Sequence, residues 1–325
     1  MVIRMGNGRP DQKGSGYSGS ARELYQALRR QPNFNWFNFL HAYVYARWIY
    51  FYIATGKGRT WLGRAASGVA RLLGKASDTP PARPDGWGTR GTPRMSFADT
   101  YHAKVLPVQT ARELISIKQP IAASLPEQVI PFHTARDIIL QDPDHLVAFN
   151  CPCRMASDNP CLPMDVCLVV GEPFASFMVA HHAGNARWIN QQEALEIIES
   201  EHQRGHVQHA FFKDVLMQRY YAICNCCSCC CAAIGAHKHG TPMLASSGYL
   251  ARVDELACIG CGICVETCQF DALTLSDSSI IEINISHCMG CGVCVSHCPQ
   301  GALALELSPA KGTPLDIRQL TGSQG

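Results

Sequence analysis

Two cysteine quartets near the C-terminus constrain this chain more than any other stretch. Cys258, Cys261, Cys264 and Cys268 stand in A-C-I-G-C-G-I-C-V-E-T-C-Q, and Cys288, Cys291, Cys294 and Cys298 in H-C-M-G-C-G-V-C-V-S-H-C-P. Both read C-x2-C-x2-C-x3-C, and the second repeats the first 30 residues later. Zinc sites usually set two cysteine pairs apart by a longer spacer, which three cysteines at x2-x2 and a fourth at x3 fit poorly. Iron–sulfur ligation is the reading this spacing supports.

On these motifs, residues from about 248 to 307 resemble a dicluster bacterial-type ferredoxin domain. The resemblance implies a pseudo-twofold pair of βαβ halves with crossed ligation. Cys258, Cys261, Cys264 and Cys298 are then expected on one 4Fe–4S cluster, and Cys288, Cys291, Cys294 and Cys268 on the other. The flanks agree independently. Ala272–Leu275 and Ile280–Ile283 bracket Ser276-Asp277-Ser278-Ser279 as a hairpin, and Ala302–Leu307 can pair with Leu250–Val253. One departure stands out: the first quartet ends Cys268-Gln269, where the family usually has Cys-Pro. Glutamine restores a backbone N–H near sulfur and frees that turn.

A second set of metal ligands lies upstream. Cys151, Cys153, Cys161 and Cys167 follow C-x-C-x7-C-x5-C, and Cys224, Cys226, Cys227, Cys229, Cys230 and Cys231 place six thiols within eight residues. Buried cysteine as a small apolar residue accounts for one or two of these, not for ten in two dense loops. One or two further Fe–S clusters are the expectation, because a chain with two clusters gains from a relay or terminal. An all-thiolate zinc site and redox thiols are the rivals. From about residue 100 onward the chain is also similar to uncharacterised bacterial proteins that join a C-P-C-R loop (Cys151–Arg154), an I-C-N-C-C-x-C-C-C loop (Ile223–Cys231) and a ferredoxin domain. That similarity implies no activity.

Eighteen cysteines in a reducing cytosol suit metal or sulfide ligation better than disulfides, which neighbouring residues cannot form without strain. The start, Met-Val-Ile-Arg-Met-Gly-Asn-Gly, has no signal-peptide apolar region, so a cytoplasmic location is expected. Net charge is only +2 but unevenly placed. Residues 1–100 carry 15 Lys/Arg against 5 Asp/Glu, whereas residues 251–307 carry Arg252 against seven acids. The two ends therefore face different partners.

Ser20-Ala21-Arg22-Glu23 reads as a helix start running to about Gln31, and Asn33–Ala54 as an aromatic helix with Gly56 as its stop. No acid occurs from Leu24 to Ser77, and no 18-residue apolar run exists. This segment is a helical cap on the rest of the protein, a peripheral contact at the inner face of a membrane, or a docking face for an acidic redox partner. Residues 76–95 form a Pro/Gly linker. Thr110-Ala111-Arg112-Glu113 and Thr134-Ala135-Arg136-Asp137 resemble helix starts, the second leading into Ile138-Ile139-Leu140. His145–Phe149 reads as a buried strand, and Asn190 opens a helix ending near Gly205. His181, His182, His202, His206 and His209 read as satisfied or exposed histidines, and Arg154 and Arg187 as surface ion pairs or counter-charges.

The fold expectation is α+β. It comprises a basic, aromatic helical segment and linker over 1–95, a cysteine-rich metal-binding domain over 96–245, a dicluster ferredoxin domain over 246–310 and a mobile tail over 311–325. The expected function is single-electron transfer between a redox protein partner and the upstream cluster site. The alternative is an iron–sulfur oxidoreductase with its active-site cluster in residues 151–231. No dinucleotide fingerprint, P-loop, nucleophile elbow or nucleic-acid module accompanies these motifs, so no catalytic residue is assigned and no nucleic-acid partner is expected.

Overall fold

The computed structural model describes residues 17–32, 34–65 and 97–321, and the linker expected over 76–95 lies outside them. The fold is α+β. Its centre is a nine-stranded sheet of β1 (Tyr101–Leu106), β2 (Ile121–Ser124), β3 (Asp137–Leu140), β4 (Leu146–Phe149), β5 (Cys167–Val170), β6 (Ala186–Ile189), β7 (Val207–Lys213), β8 (Arg219–Cys226) and β9 (Leu244–Ala245). The main path runs β6-β4-β5-β8-β7-β1-β9, with the β2–β3 pair attached to β8. β4 and β5 are buried at every position and read as continuous apolar runs, as strands covered on both faces must.

Among the described residues three N-terminal helices come first: α1 (Tyr17–Arg29), α2 (Trp36–Arg47) and α3 (Ile49–Gly56). The aromatic helix expected over Asn33–Ala54 is thus two helices. Asn35 caps the first by accepting from the Asn38 N–H at 2.7 Å, and Trp48 leaves helical geometry at φ −123°, ψ 39°. The kink lets Tyr45 and Ile49 point into the core on successive helices, and both are buried. Then come α4 (Val108–Ile115), α5 (Pro152–Met155), α6 (Phe174–His181), α7 (Gln191–Gln203) and α8 (Ala232–Lys238). α4 begins directly after Pro107, so Thr110 lies inside its first turn rather than at its cap. Asn190 caps α7 through the Glu193 N–H at 2.8 Å, as its sequence predicts.

The helix expected from Thr134 is instead strand β3. Ala135 takes φ 56°, which interrupts a helical path, and the β-branched pair Ile138-Ile139 faces Ala123 and Ala122 across the β2 ladder. The expected tail also packs: Leu315 and Ile317 are buried, and the short helix α11, introduced below, lies on β2.

The C-terminal unit holds β10 (Tyr249–Val253), helix α9 (Ile263–Thr267), β11 (Leu273–Leu275), β12 (Ile281–Ile283), helix α10 (Val293–Ser296) and β13 (Leu303–Leu307), followed by α11 (Ile317–Thr321). β10 pairs antiparallel with β13 and β11 with β12, the two pairings expected from sequence. α9 and α10 each start at a left-handed glycine, Gly262 (φ 77°) and Gly292 (φ 82°), and pack on each other about the pseudo-twofold.

Candidate metal centre

Sheet pairing explains how two cysteine loops so far apart in sequence meet. Phe149 pairs with Cys167, Cys167 with Cys224 and Val207 with Cys226, so the ends of β4, β5 and β8 deliver Cys151, Cys167, Cys224 and Cys226 to one place. α5 adds Cys153, and Cys231 stands at the start of α8. Together with Cys227 and Cys230 they border a cavity of about 170 Å³.

Six thiols form a string around that cavity. Cys153 and Cys167 hydrogen-bond to Cys151, holding it well below the ordinary thiol range, while both donors are pushed well above it. Cys167 also touches Cys224, and Cys231 touches Cys153 and Cys226. Full ionisation of the string requires a cationic core, since desolvated thiolates repel one another.

The N-terminal helices cover this cavity. Tyr45 on α2 and Tyr52 and Ile53 on α3 line it, opposite Tyr101 and Tyr221. Tyr45 and Tyr221 share a hydroxyl–hydroxyl hydrogen bond of 2.6 Å. Burial pushes the Tyr45, Tyr101 and Tyr221 phenols up, so all three stay protonated. Lys57, at the end of α3, donates to Cys153 O (3.0 Å), Cys230 O (3.0 Å) and Ser157 Oγ (2.8 Å), fixing a cation between the two loops.

Arg154 is the second cation and is fully buried. Its guanidinium donates to Glu201 Oε2 (2.5 Å), Asn225 O (3.4 Å) and Pro163 O. Burial opposes its charge, but Glu201, and then Cys151 and Cys227, hold it above its ordinary value. Arg154 Nε has no hydrogen-bond partner among the described residues, and neither does the buried Tyr50 hydroxyl, which lies within the field of Cys167 and Cys151. Unpaired buried donors beside a ring of thiols suit a sulfide-containing cluster, whose sulfurs accept hydrogen bonds.

The remaining upstream thiols gather separately. Cys161, Cys227, Cys229 and Cys230 bring their sulfurs within 4.8 Å of one another, with Cys161 Sγ and Cys229 Sγ at 2.9 Å. All ten upstream cysteines thus lie in one region, but as six and four.

In the C-terminal unit, Cys298 joins Cys258, Cys261 and Cys264 around a small cavity of about 20 Å³, and Cys268 acts on Cys291 and Cys294. Ala272 N–H and Ala302 N–H donate to Cys268 Sγ and Cys298 Sγ, each at 3.3 Å, a symmetric pair of sulfur-directed bonds. The quartets differ in surroundings. Cys261 is exposed, with Leu256, Ile259 and Ile263 exposed nearby. Cys288 and Cys294 are buried, and burial pushes Cys294 up to about 12. Met289 and Val293 belong to the core of the main body, so the second quartet faces that body and the first faces outward.

Gln269 joins the two units. Its Oε1 accepts the Ser228 N–H at 2.7 Å, and its Nε2 donates to Gly205 O at 2.9 Å. The sequence marked this position for its backbone, whereas the structure employs its side chain. His202 donates or accepts with Ser296 Oγ (2.7 Å) and contacts Gln208, and His206 contacts Glu201. His181 meets Ser20 and His182 meets Ala46 O, so these histidines do not converge on an ion. His209 is buried, and its ring nitrogens have no hydrogen-bond partner among the described residues. Arg187 makes exposed pairs with Asp165 and Glu193, the bland outcome, whereas Arg154 does not. Lys57 and the three tyrosines gave no sequence signal as site residues, because only the packing of α2 and α3 over the cavity selects them.

Residues 251–305 match the family model described as a 4Fe-4S dicluster domain. Curated proteins yield no match to the chain. The chain is therefore an iron–sulfur, metal-binding protein in which a dicluster domain is joined to a cysteine-rich α+β body.

Proposed function

We propose that this protein transfers single electrons between a redox protein partner and a polynuclear Fe–S centre in the six-thiol cavity. Cys258, Cys261, Cys264 and Cys298 would hold one 4Fe–4S cluster and Cys288, Cys291, Cys294 and Cys268 the other. Clusters of this kind accept one electron with little ligand movement, and the protein sets their position and surroundings. Around the cavity, Arg154 and Lys57 offset negative charge and the covering helices exclude water. The fusion of C-P-C-R loop, I-C-N-C-C-x-C-C-C loop and dicluster domain is read as one electron-transfer unit.

The observation that carries this reading is the Gln269 side chain. It follows a ligand of the second cluster directly and hydrogen-bonds Ser228, which lies between Cys227 and Cys229. One hydrogen bond thus connects the dicluster domain to the loop that walls the cavity. The partner would dock at the outward quartet, where Leu256, Ile259 and Ile263 are exposed and the acids Asp254, Glu255 and Glu266 are exposed close by in the chain, a surface suited to a basic-faced partner. Gln269→Ala is expected to keep its full iron content and slow reduction of the cavity centre at least about tenfold, which corresponds to 1.4 kcal/mol in activation. Rapid-freeze EPR after reduction of the dicluster domain reads this out. An unchanged rate would remove Gln269 from the route, and iron confined to two cubanes, about eight per chain, would remove the cavity centre.

The tyrosine trio favours a second reading, in which the cavity centre is catalytic and Tyr45, Tyr101 and Tyr221 supply protons. A shift of its EPR signal on adding small anionic or thiol ligands would support that reading.

For the N-terminal helices we propose peripheral membrane contact on the cytoplasmic side. No helix among the described residues is long and apolar enough to cross a membrane. The outer face nevertheless exposes Trp36, Phe37, Leu40, Trp48 and Phe51, and Arg47 lies 5.6 Å from the Trp48 ring. Aromatic and basic residues together suit an anionic lipid surface. Co-sedimentation with phosphatidylglycerol vesicles, weakened several-fold by Phe37→Ser, is the expected result; equal sedimentation of both proteins would leave this face as a helical cap alone.

A further inference from the structure

We infer that Cys161, Cys227, Cys229 and Cys230 form a separate four-thiolate site for a single tetrahedral zinc ion, not a further Fe–S cluster. The inference is separate from the electron-transfer reading: it concerns four thiols outside the hydrogen-bonded string of six, although Cys227 and Cys230 also wall the cavity.

Sulfur spacing decides the matter. At a Zn–S distance of ~2.3 Å, tetrahedral thiolates stand about 3.8 Å apart. All four sulfurs here lie within 4.8 Å of one another; Cys229 Sγ is 3.6 Å from Cys230 Sγ and 2.9 Å from Cys161 Sγ, a pair that has to open to admit the ion. A cubane instead places each thiolate on its own iron corner and spreads them more widely. The same structure supplies the comparison: neither ferredoxin quartet gathers its sulfurs within that limit among the described residues. The six cavity thiols are also strung out rather than convergent. Only the outer four have the compactness of a mononuclear site.

The surroundings suit a closed structural site. Cys227 and Cys230 are buried, Cys161 is half-buried and Cys229 is exposed, so the ion would sit at the surface with its coordination filled by protein. A tight turn, with the Cys230 and Cys231 N–H groups donating to Cys227 O at 3.3 and 2.9 Å, brings three of the four ligands together. Cys161 comes from the other loop, and Lys57 places its ammonium on the Cys230 carbonyl, where it offsets the dianion that four thiolates make of a divalent ion. Binding would release the remaining thiol protons and clamp the 151–167 loop to the 224–231 loop. Because Ser228 lies inside the clamp and accepts the docking of Gln269, the ion would fix the surface against which the dicluster domain rests. Zinc has no redox step to perform, so electrons would pass it by along the loop toward the cavity.

Metal analysis of anaerobically purified full-length chain, from cells supplied with iron and zinc, tests this. About one zinc per chain is expected, with zinc-edge absorption showing four sulfur neighbours at ~2.3 Å and no iron neighbour. Cys229→Ser, at the most exposed ligand, should lower zinc while leaving iron unchanged; Cys151→Ser should do the reverse. Absence of zinc, a zinc shell poor in sulfur, or loss of about four irons in Cys229→Ser would each overturn the assignment. Should Cys229→Ser fail to fold, the zinc-edge spectrum of the unaltered chain still decides it.

Discussion

Replacing Arg154 with methionine is expected to destabilise the protein by about 3–5 kcal/mol, the usual cost of breaking a buried ion pair from one side. Arg154 and Glu201 are each about 1% exposed at the side chain. Glu201 also accepts from His206 Nδ1 (2.7 Å) and Arg204 Nη1 (3.0 Å). Burial alone would raise its carboxyl, and His206 and Arg154 together hold it below the ordinary value. Methionine fills much of the arginine volume but leaves the carboxylate with only the His206 ring and one half-exposed guanidinium. The same change removes the cation facing Cys151 and Cys227, so iron retention should fall as well. Adding Glu201→Gln should restore most of the stability, because removing both charges of a buried pair is often near neutral. It should not restore the iron, since the counter-charge to the thiolates is still missing. Denaturant midpoints and iron content of the two variants check both halves. A single-variant loss below about 1 kcal/mol, the range of an exposed pair, would show that water reaches Glu201.

Gly290→Ala should abolish the second cluster and cost the fold about 3 kcal/mol, from overpacking together with a left-handed alanine. Gly290 has φ 65°, and a Cβ there would stand 2.2 Å from Tyr249 O and 2.4 Å from Ser247 Oγ. The neighbour cannot yield cheaply. Ser247 Oγ already donates to Gly290 O at 2.7 Å, Ser247 N–H donates to Met289 O at 3.1 Å, and Tyr249 opens the β10–β13 ladder. The loop bearing Cys288, Cys291 and Cys294 would have to lift away from β10, taking its ligands out of position. Gly262→Ala is the matched control, with φ 77° and nothing within 4 Å of its added Cβ. It should keep both clusters and lose only about 1–2 kcal/mol. Loss of about four irons in Gly290→Ala but not in Gly262→Ala is the expected pattern; equal iron in both variants would show that the loop relaxes freely.

Much of the C-terminal unit was legible because its information is local. Cysteine spacing fixes how many thiols one loop can aim inward, and the hairpin and the terminal strand pair announce themselves by alternation and turn residues. The α7 cap at Asn190 was legible for the same reason. Local signals misled at Thr134–Asp137, where a cap-like tetrad precedes two isoleucines: the tertiary partner β2 turned the segment into a strand. They misled again over Asn33–Ala54, where nothing in the pattern marks the break at Trp48. That break serves the packing of Tyr45 and Ile49 over the cavity.

By itself, then, the sequence determined that residues 251–305 are a dicluster domain and that ten further thiols are concentrated upstream of it, since thiol number and spacing are properties of the chain. Tertiary structure alone decided how the ten upstream thiols divide, with Cys151, Cys153, Cys167, Cys224, Cys226 and Cys231 in one string and Cys161, Cys227, Cys229 and Cys230 gathered as a second group that meets the same cavity through Cys227 and Cys230. It alone brought Lys57 to the two loops, buried Arg154 beside Cys151 and Cys227, and made Gln269 the join. The physical reason is that these relations depend on which strands pair. Strands β4, β5 and β8 are hydrogen-bonded neighbours, and a sheet register brings residues together at distances that no sequence spacing encodes.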